Sequence, residues 1–217
     1  MPTSRSYGDA CGIARALDAV GERWALLVVR ELLLGPQRFT DLRRALPKAS
    51  SNMLSDRLRE LESRGVLRRR TMPPPAASVV YELTDLGREL EPIVLALGAW
   101  GLQLPLPPAP VGLSPTSVLL FLRGSLRPDP QAPPATYRVE LDGTVWSIRT
   151  HGREVDVEAG APADTDAVLR TDPATLNALI SDPASLAAAV ADGRAVVGGD
   201  EAALRRLLGS AAAAPAG

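Results

Sequence analysis

Apolar residues in the first part of the chain recur at helical spacing. In a first segment they lie three or four positions apart and stop before Gly21, which predicts a short helix; they are Ile13, Leu17 and Val20. Residues 24–34 are apolar on nearly all sides and end before Gly35 and Pro36, so we expect them to form the buried centre of a domain.

Two further helices are predicted between residues 39 and 65. The apolar positions of the first are Phe39, Leu42 and Leu46. Thr40 is its expected cap and Pro47 closes it after about two turns. The second helix carries a leucine stripe at i, i+4 and i+7, formed by Leu54, Leu58 and Leu61. Ser50 or Ser51 can cap its start, and Gly65 ends it.

A hairpin and a last helix complete this half of the chain. Residues 66–67 open one strand and residues 79–83 form the other around a proline-rich loop, which is the pattern of a wing. Thr84 begins a helix that continues to residue 101, and Pro92 inside it should kink the helix or remove a backbone hydrogen bond.

One side of this last helix is apolar along its whole length: Leu86, Leu90, Ile93, Leu97 and Trp100. A small winged domain has too little surface to cover such a stripe. We therefore expect a second copy of the chain to pack on it and on Ile13 and Leu17 of the first helix, which predicts a homodimer.

The composition divides the chain into two domains. Prolines and glycines crowd residues 103–115, which predicts a stiff linker between a domain at 1–102 and another at 116–209. The alanine-rich residues 210–217 are expected to form a flexible tail.

The second domain is predicted to combine a small antiparallel sheet with helices, so the fold class is α+β. Residues 116–122 centre on an apolar run, VLLFL, and predict a strand. Alternation in the next segment is interrupted at Asp142-Gly143 and at His151-Gly152, which predicts two hairpin turns. The remaining elements are a strand at 164–170, two short helices that each open with Asp-Pro, a strand at 195–197 and a helix at 200–208.

Charge and composition narrow the function. Residues 38–70 hold ten basic side chains against four acidic ones, in a chain of net charge −1. Such a window is typical of nucleic-acid binding, although solvated helices also carry one. One cysteine, no apolar leader and no apolar run of about 18 residues predict a cytoplasmic protein that does not span a membrane. The single histidine, His151, and Cys11 have no evident catalytic or metal-binding partner, so we expect no enzyme activity, metal or cofactor.

The helix that begins near Ser50 has a polar face suited to DNA. Opposite its leucine stripe lie Asn52, Asp56 and Arg59, with Ser55 at the edge. A short helix, a tight turn and a longer helix that begins with small polar residues form the helix-turn-helix pattern, whose second helix enters the major groove. Asn and Arg pair with base edges there, and Ser hydroxyls bind phosphate.

Three segments occur in order across residues 11–102: CGIARALDAVGERWALLVVRELLLGPQRFTDLRRAL, SSNMLSDRLRELESRGVL and YELTDLGRELEPIVLALGAWG. Together they resemble the HxlR-type winged helix-turn-helix regulators. The resemblance implies a homodimeric bacterial transcription factor that binds a palindromic double-stranded DNA operator, with dimer contacts from the first and last helices. It places Thr40, Ser51, Asn52, Ser55 and Arg59 on the recognition surface and Arg68, Arg69 and Arg70 on the wing.

The basic residues of the wing have two interpretations. They can contact DNA phosphates or the minor groove, or they can protect a solvated edge strand. The wing loop lacks a basic tip. Arg57 lies close to the leucine stripe, so it can form either an ion pair inside the protein or a contact with phosphate. The whole candidate set is Arg38, Thr40, Ser50, Ser51, Asn52, Ser55, Arg57, Arg59, Arg68, Arg69 and Arg70.

Cys11 stands just ahead of the first helix, where many proteins of this family carry a cysteine that in some of them senses oxidants or electrophiles. A thiol at a helix N-terminus can have a lowered pKa and react. The alternative is a small residue that packs under the helix. Without a second cysteine, oxidation could only give an intersubunit bond or an adduct.

The second domain carries the segments DGTVWSIRTHG, ADTDAVLRTDPATLNALI and DPASLAAAVADGRAVVGGDEAALRRLL. They are similar to the sterol carrier protein type 2-like fold, which implies an apolar tunnel between sheet and helices. The residues expected to line it are Phe121, Trp146, Ile148, Leu176, Leu179, Ile180, Leu186 and Val190. The alternative is that all of them are plain core.

The leading hypothesis is a dimeric repressor whose second domain binds a small apolar effector or adds dimer contacts. Two alternatives stay open. One is a hydrophobic ligand carrier or sensor with secondary DNA binding, and the other is a redox-sensing regulator that acts through Cys11.

Overall fold

The computed structural model describes residues 6–73, 77–105 and 112–211. The chain separates into two compact units, Met1–Leu102 and Gln103–Gly217. Residues 106–111 of the predicted linker, the wing tip at 74–76 and the tail beyond 211 lie outside the described residues. Within the described part of the chain, no helix is long and apolar enough to cross a bilayer.

The first unit begins with four helices: α1 (Gly12–Val20), α2 (Ala25–Leu32), α3 (Phe39–Ala45) and α4 (Ser51–Ser63). Ser50 caps α4 by accepting a hydrogen bond from the N–H of Met53 (3.2 Å), as predicted. After α4, Gly65 has φ +73°, a left-handed conformation that favours glycine at a helix end.

The cap predicted for α3 was wrong. Arg38 occupies the capping position and Thr40 is the second helical residue. Asp41 supplies the acceptor instead, because its carboxylate accepts the N–H of Arg38 (3.2 Å). No hydroxyl is therefore needed at this helix start.

A small antiparallel sheet forms the wing. Its strands are β1 (Gln37–Arg38), β2 (Leu67–Thr71) and β3 (Val79–Leu83), in the order β1-β3-β2. The strand β1 was not predicted, because two residues are too short for any periodic pattern. It pairs with β3 and thereby fixes the start of α3 against the wing.

The predicted last helix is two helices. The first, α5 (Asp85–Arg88), begins with the Thr84 hydroxyl accepting the N–H of Gly87 (3.1 Å). The second, α6 (Glu91–Gly101), has Pro92 in its first turn. Backbone N–H groups of the first turn have no partner within a helix, so a proline there costs no hydrogen bond. The helix is interrupted at Leu90 and does not bend at Pro92. A Cβ at Gly87 would collide with the carbonyl oxygen of Val66, so only glycine lets α5 approach the wing this closely.

The core of the first unit lies between α2, α3, α4 and the wing. Its largest fully buried side chains are Leu42, Leu54, Leu58, Leu61, Leu67 and Leu83. The prediction of a buried α2 is confirmed, with one addition: Glu31 is buried on this helix and pairs with its neighbour Arg30. A buried carboxylate requires such a partner because burial alone penalises its charge.

The second unit is built on a five-stranded sheet in the order β6-β5-β4-β7-β8. The strands are β4 (Ala135–Leu141), β5 (Thr144–His151), β6 (Glu154–Ala159), β7 (Ala167–Thr171) and β8 (Ala195–Gly199). All neighbours are antiparallel except β4 and β7, which are parallel. The hairpin at Asp142-Gly143 is confirmed, with φ +50° and +77° at its two turn residues. His151 is the last residue of β5 rather than a turn residue.

Residues 116–122, predicted as a strand, are helical and belong to α7 (Pro115–Ser125). The Ser114 hydroxyl accepts the N–H of Ser117 (3.1 Å), and a proline follows at the first helical position. The buried residues of α7 are Thr116, Val118, Leu119, Leu120 and Leu122. A short apolar run has the same composition in a buried helix and a buried strand, so the Ser-Pro pair before it was the stronger signal.

The other helices of the second unit are α8 (Pro173–Ser181), a 3-10 turn at Pro183–Ser185, α9 (Leu186–Ala191) and α10 (Glu201–Gly209). Asp172 caps α8 and Asp200 caps α10, each by accepting the N–H three residues ahead. The helices α7 and α10 contact both α8 and the sheet. The buried face of the sheet carries Tyr137, Val139, Leu141, Trp146, Ile148 and Leu169.

Candidate nucleic-acid interface

The outward face of α4 is polar and open. Asn52, Asp56 and Arg59 are exposed, Ser55 is half-buried, and Leu58 on the opposite face is 1% exposed. Arg59 pairs with Asp56 one turn earlier (2.6 Å), and its side chain remains 66% exposed. This pair presents a guanidinium on the helix surface, one turn from its carboxylate partner.

Arg57, by contrast, lies inside the unit. Its guanidinium pairs with Glu60 on α4 and with Glu22, just after α1 (3.6 Å), and its side chain is 15% exposed. Of the two readings left open by its position near the leucine stripe, the internal ion pair is the one observed. We therefore leave Arg57 out of the interface.

Further exposed polar groups lie at the start of α3 and at the start of α4. Arg38 and Thr40 are exposed at the start of α3, and Ser51 is exposed at the start of α4. Arg43 was not predicted to act here. Its Nη1 donates to the carbonyl of Ala49 (2.7 Å), which holds the turn between the two helices. No periodic pattern could have indicated this contact.

The wing arginines are held by two carboxylates that the sequence did not single out. Arg68 and Arg70 both donate to Glu82 on β3, at 2.8 and 2.9 Å, and Arg69 donates to Glu62 at the end of α4 (2.9 Å). The signal was available in the strand register, since Glu82 lies directly opposite Arg68. The hydrogen bond from Arg68 holds the pKa of Glu82 below its ordinary value, and the hydrogen bond to Glu62 raises that of Arg69.

Two arginines share one carboxylate on this face of the wing, so a positive charge remains after pairing. Side-chain exposure of 62% for Arg68 and 45% for Arg70 leaves N–H groups accessible to a partner. A guanidinium can bind a carboxylate with one edge and a phosphate with another. Fixed and partly neutralised arginines are therefore compatible with contact to a nucleic-acid backbone.

The apolar side predicted for dimerisation is largely at the surface. Ile13 and Leu17 of α1 are exposed, as are Leu86, Ile93, Leu97 and Trp100, the last at 57%. Leu90 differs, because it packs half-buried against the core of its own unit. An apolar surface of this extent in one unit is typical of a protein interface.

Cys11 is exposed at the position that precedes α1. Its own N–H donates to the Asp9 carboxylate (2.9 Å). The backbone N–H groups of Ile13 and Ala14 lower the pKa of its thiol, which is the effect expected at a helix start. Among the described residues, no group of three or more His, Cys, Asp and Glu side chains could hold a metal ion.

In the second unit, most residues predicted to line a tunnel are buried, as either a closed tunnel or a plain core requires. Those buried to 3% exposure or less are Trp146, Ile148, Leu176, Leu179, Ile180 and Leu186. Phe121 is half-buried and Val190 is 43% exposed. None of the eight lines the cleft of about 510 Å³ that the structure shows elsewhere in this unit.

Comparison with known proteins connects the first unit to a described family. A model of the HxlR-like helix-turn-helix family matches residues 19–105. The uncharacterized HTH-type transcriptional regulator YvaP of Bacillus subtilis (strain 168) is 40% identical over 89 residues, 41% of this chain and 82% of the relative. The HTH-type transcriptional regulator YodB of the same organism is 34% identical over 88 residues, 41% of this chain and 79% of the relative.

Solved structures align with the same share of the chain. The redox regulator HypR in its oxidized form is 35% identical, with a TM-score of 0.42 over 45% of this chain and 100% of that one. The reduced form of the transcriptional regulator YodB from B. subtilis is 32% identical, with a TM-score of 0.40 over 44% of this chain and 94% of that one.

Proposed function

The chain belongs to the HxlR-like helix-turn-helix family of transcriptional regulators, and from this premise we propose that it is a cytoplasmic, homodimeric repressor that binds a palindromic DNA operator. The observation that carries the proposal is the exposed polar face of α4, with Asn52 and Arg59 set opposite a buried leucine stripe. A recognition helix requires this arrangement, because one face must anchor it while the other reaches base edges.

In this proposal, α4 lies in the major groove. Asn52 is suited to adenine and Arg59 to guanine, each through two hydrogen bonds. The side chains of Ser51, Ser55 and Thr40 and the guanidinium of Arg38 are placed to bind phosphates. Asp56 orients Arg59 in the free protein, and this pre-organisation lowers the entropy lost when Arg59 binds a base.

The wing supplies backbone contacts. Glu82 fixes Arg68 and Arg70 on one face of β2, and the spare positive charge binds phosphate beside the groove that α4 enters. Because such contacts do not read sequence, they set affinity and register while α4 sets specificity.

Dimerisation follows from the exposed apolar side chains of α1, α5 and α6. A second copy packed on Leu97, Trp100 and their neighbours would cover them and place two recognition helices on one side of the dimer. An operator with two half-sites about 34 Å apart suits such a pair.

The second unit has the role of a sensing module in this proposal, and its sterol carrier-like fold stays a prediction. A ligand that bound the DNA-incompetent arrangement more tightly would release the operator, and a tenfold change in affinity requires about 1.4 kcal/mol of differential binding. The same unit could add dimer contacts.

A second candidate function is redox sensing by Cys11. The exposed thiol with its lowered pKa supports it, and the similar HypR is a redox regulator. Replacement of Cys11 by serine should then abolish the response of DNA binding to oxidant and leave basal binding unchanged. An unaltered oxidant response in C11S would remove this function.

The test of the main proposal is titration of the protein against its own upstream intergenic DNA across salt concentrations, with an unrelated duplex as control. We expect nanomolar binding to the cognate duplex, weak binding to the other, and a steep salt dependence. Arg59→Ala should weaken cognate binding at least about 30-fold, since each half-site loses about 1 kcal/mol or more.

The matched control is Arg88→Ala. Arg88 forms the same kind of exposed pair one turn away, with Asp85 at 3.0 Å, but lies on α5 outside the polar face of α4. If R59A and R88A bind the cognate duplex equally well, α4 is not the recognition helix. Loss of ligand binding in R59A with DNA binding intact would favour the carrier hypothesis.

A further inference from the structure

A cleft of about 510 Å³ opens at one end of the buried face of the second unit's sheet. Tyr137 on β4 and Thr150 on β5 form its floor, and Arg206 and Leu207 on α10 form one wall. The segment 127–133 forms the other wall. Its volume falls in the range of small-molecule sites, roughly 300–1,000 Å³.

The floor carries two buried hydroxyl groups whose hydrogen bonds are long. Tyr137 donates to the carbonyl of Ala203 at 3.3 Å, and Thr150 donates to the carbonyl of Ala135 at 3.5 Å. Burial raises the pKa of Tyr137, so its phenol stays protonated and can donate. Hydrogen bonds of this length are weak, and both groups could form shorter ones with a bound molecule.

The walls carry two guanidinium groups that do not use all of their N–H donors. Arg127 uses only Nη1, which donates to the carbonyls of Gly124 and Leu126, and no described carboxylate pairs with it. Arg206 forms an ion pair with Asp200 at 3.7 Å, but this distance is too long for a hydrogen bond and leaves its N–H groups available to a ligand.

The acceptors around the cleft are already largely in use. Asp129 accepts the N–H of Gln131 (2.9 Å). At the end of α10, the carbonyls of Arg206 and Leu207 both accept the N–H of Ser210, and the carbonyl of Ser210 accepts the N–H of Arg127 (2.7 Å). Two guanidinium groups and one carboxylate, that of Asp129, line the cleft, so the lining has one positive charge in excess, and a ligand with an anionic acceptor group fits this balance.

Part of the lining is apolar. Pro128, Ala132 and Pro133 face the cleft from one wall and Leu207 from the other. An apolar body would be covered here while its charged end meets the arginines. The size and the mixed lining suit a compact molecule with one charged group.

We propose that this cleft binds a small organic carboxylate, held by Arg206, Arg127 and the Tyr137 hydroxyl, with its apolar body against Leu207 and the two prolines. The site differs in place and chemistry from the apolar tunnel expected from the sequence. Its role as an effector site rests on the proposed function, but binding itself does not.

The test uses calorimetric titration of the full chain without DNA. The probes are phenylacetate and hexanoate, with phenylacetamide and hexanamide as neutral counterparts of the same shape. We expect the carboxylates to bind at least about tenfold more tightly than the amides, since a charge-assisted pair contributes about 1.5–3 kcal/mol. Equal binding of acids and amides, or no binding of the acids at millimolar concentration, would overturn the proposal.

Variants locate the site. Arg206→Gln and Tyr137→Phe should each weaken carboxylate binding about fivefold or more, and Arg205→Gln should leave it unchanged. Arg205 is the matched control because it lies on the same helix, pairs with Glu201 (2.7 Å) and does not line the cleft. If R205Q weakens binding as much as R206Q, the effect is one of net charge and the site is wrong. Because no DNA is present, this result is separate from success or failure of operator binding.

Discussion

The two units treat their large apolar side chains differently. In the first unit many of them are exposed: Tyr7, Ile13, Leu17, Leu27, Met53, Val79, Leu86, Ile93, Leu95, Leu97, Trp100 and Leu102. In the second unit the exposed ones are few among the described residues: Leu104, Leu113, Val190 and Val196. The helices α7 and α10 bury their apolar faces against the sheet and α8, whereas α6 has no buried residue at all.

This contrast shows that the apolar helix faces of the two units are covered in different ways. The second unit has a sheet large enough to cover its helices. The first unit has only a three-stranded wing, which covers α3 and α4 but leaves α1 and α6. An apolar stripe that a unit cannot cover itself indicates assembly, whereas a covered stripe indicates core.

The largest effect is expected from a charge on the exposed stripe. Leu97→Glu should convert the proposed dimer to a monomer in light scattering, because the proposed two-fold interface would bury two unpaired carboxylates. Operator affinity should fall by about 100-fold or more, since a monomer engages one half-site without the gain of linked binding. Val196→Glu places the same charge at an equally exposed position of the second unit. It should change neither the mass nor the affinity, and a dimeric L97E would contradict the assigned interface.

The next effect concerns whether each unit's core stabilises only that unit. Leu58→Ala and Leu176→Ala each remove a side chain that is 1% exposed, so each should cost about 2–5 kcal/mol of unfolding free energy. Hydrogen exchange should show lost protection in residues 12–102 for the first variant and in residues 115–211 for the second. Loss across both units in either variant would mean that they unfold as one.

A smaller effect should show whether the arginines of the first unit, and not those of the second, contribute to DNA binding. Glu82→Gln releases Arg68 and Arg70 from a fixed position and adds a positive charge. We expect unrelated DNA to bind more tightly with a steeper salt dependence, and the preference for the operator to fall about tenfold. Glu140→Gln is the control in the second unit, because Glu140 also faces two arginines, Arg170 at 3.1 Å and Arg138 at 3.9 Å. Equal DNA binding by E82Q and wild type would show that the wing arginines do not contact DNA.

The smallest effect distinguishes the two kinds of helix cap. Ser50→Ala and Asp172→Ala should each cost about 1 kcal/mol at neutral pH. Burial raises the pKa of Asp172, but hydrogen bonds from Thr175 and Ala174 outweigh it and leave the pKa lowered. The contribution of Asp172 should therefore be present above its unfolded pKa, about 3.9, and be lost as pH falls through the lower folded value. The cost of S50A should not change over this range in denaturant titrations, and a D172A cost that is constant to pH 2 would contradict the assignment.

Elements with long apolar periodicity were predictable from the sequence. The stripe of α4, the hairpin at Asp142-Gly143 and the caps at Ser50 and Asp172 follow from local rules that need no tertiary contact. The strand assigned to 116–122 was wrong because a short apolar run carries no period of its own. The break at Leu90 was displaced because Pro92 can begin a helix as well as kink one.

The sequence predicted which side chains of the candidate site face outward, but not which residues they contact. Angular position identified Asn52 and Arg59 as outward, and it left Arg57 ambiguous at the boundary. Its partner Glu22 is far away in sequence, as Glu82 is from Arg68, so only the folded chain could reveal these pairs. The cleft beside Tyr137 joins four separate segments and has no local signature.

The ion pair between Arg57 and Glu22 has a mechanical consequence. It joins α4 to the residue just after α1, so one side chain ties the helix that faces DNA to a helix of the proposed dimer contact. The thirteen residues of α4 span about 20 Å. A rotation of about 5° about one end would therefore move the other by nearly 2 Å, more than a base-specific hydrogen bond tolerates. In the proposed dimer, small movements of α1 would therefore reach the operator as lost contacts.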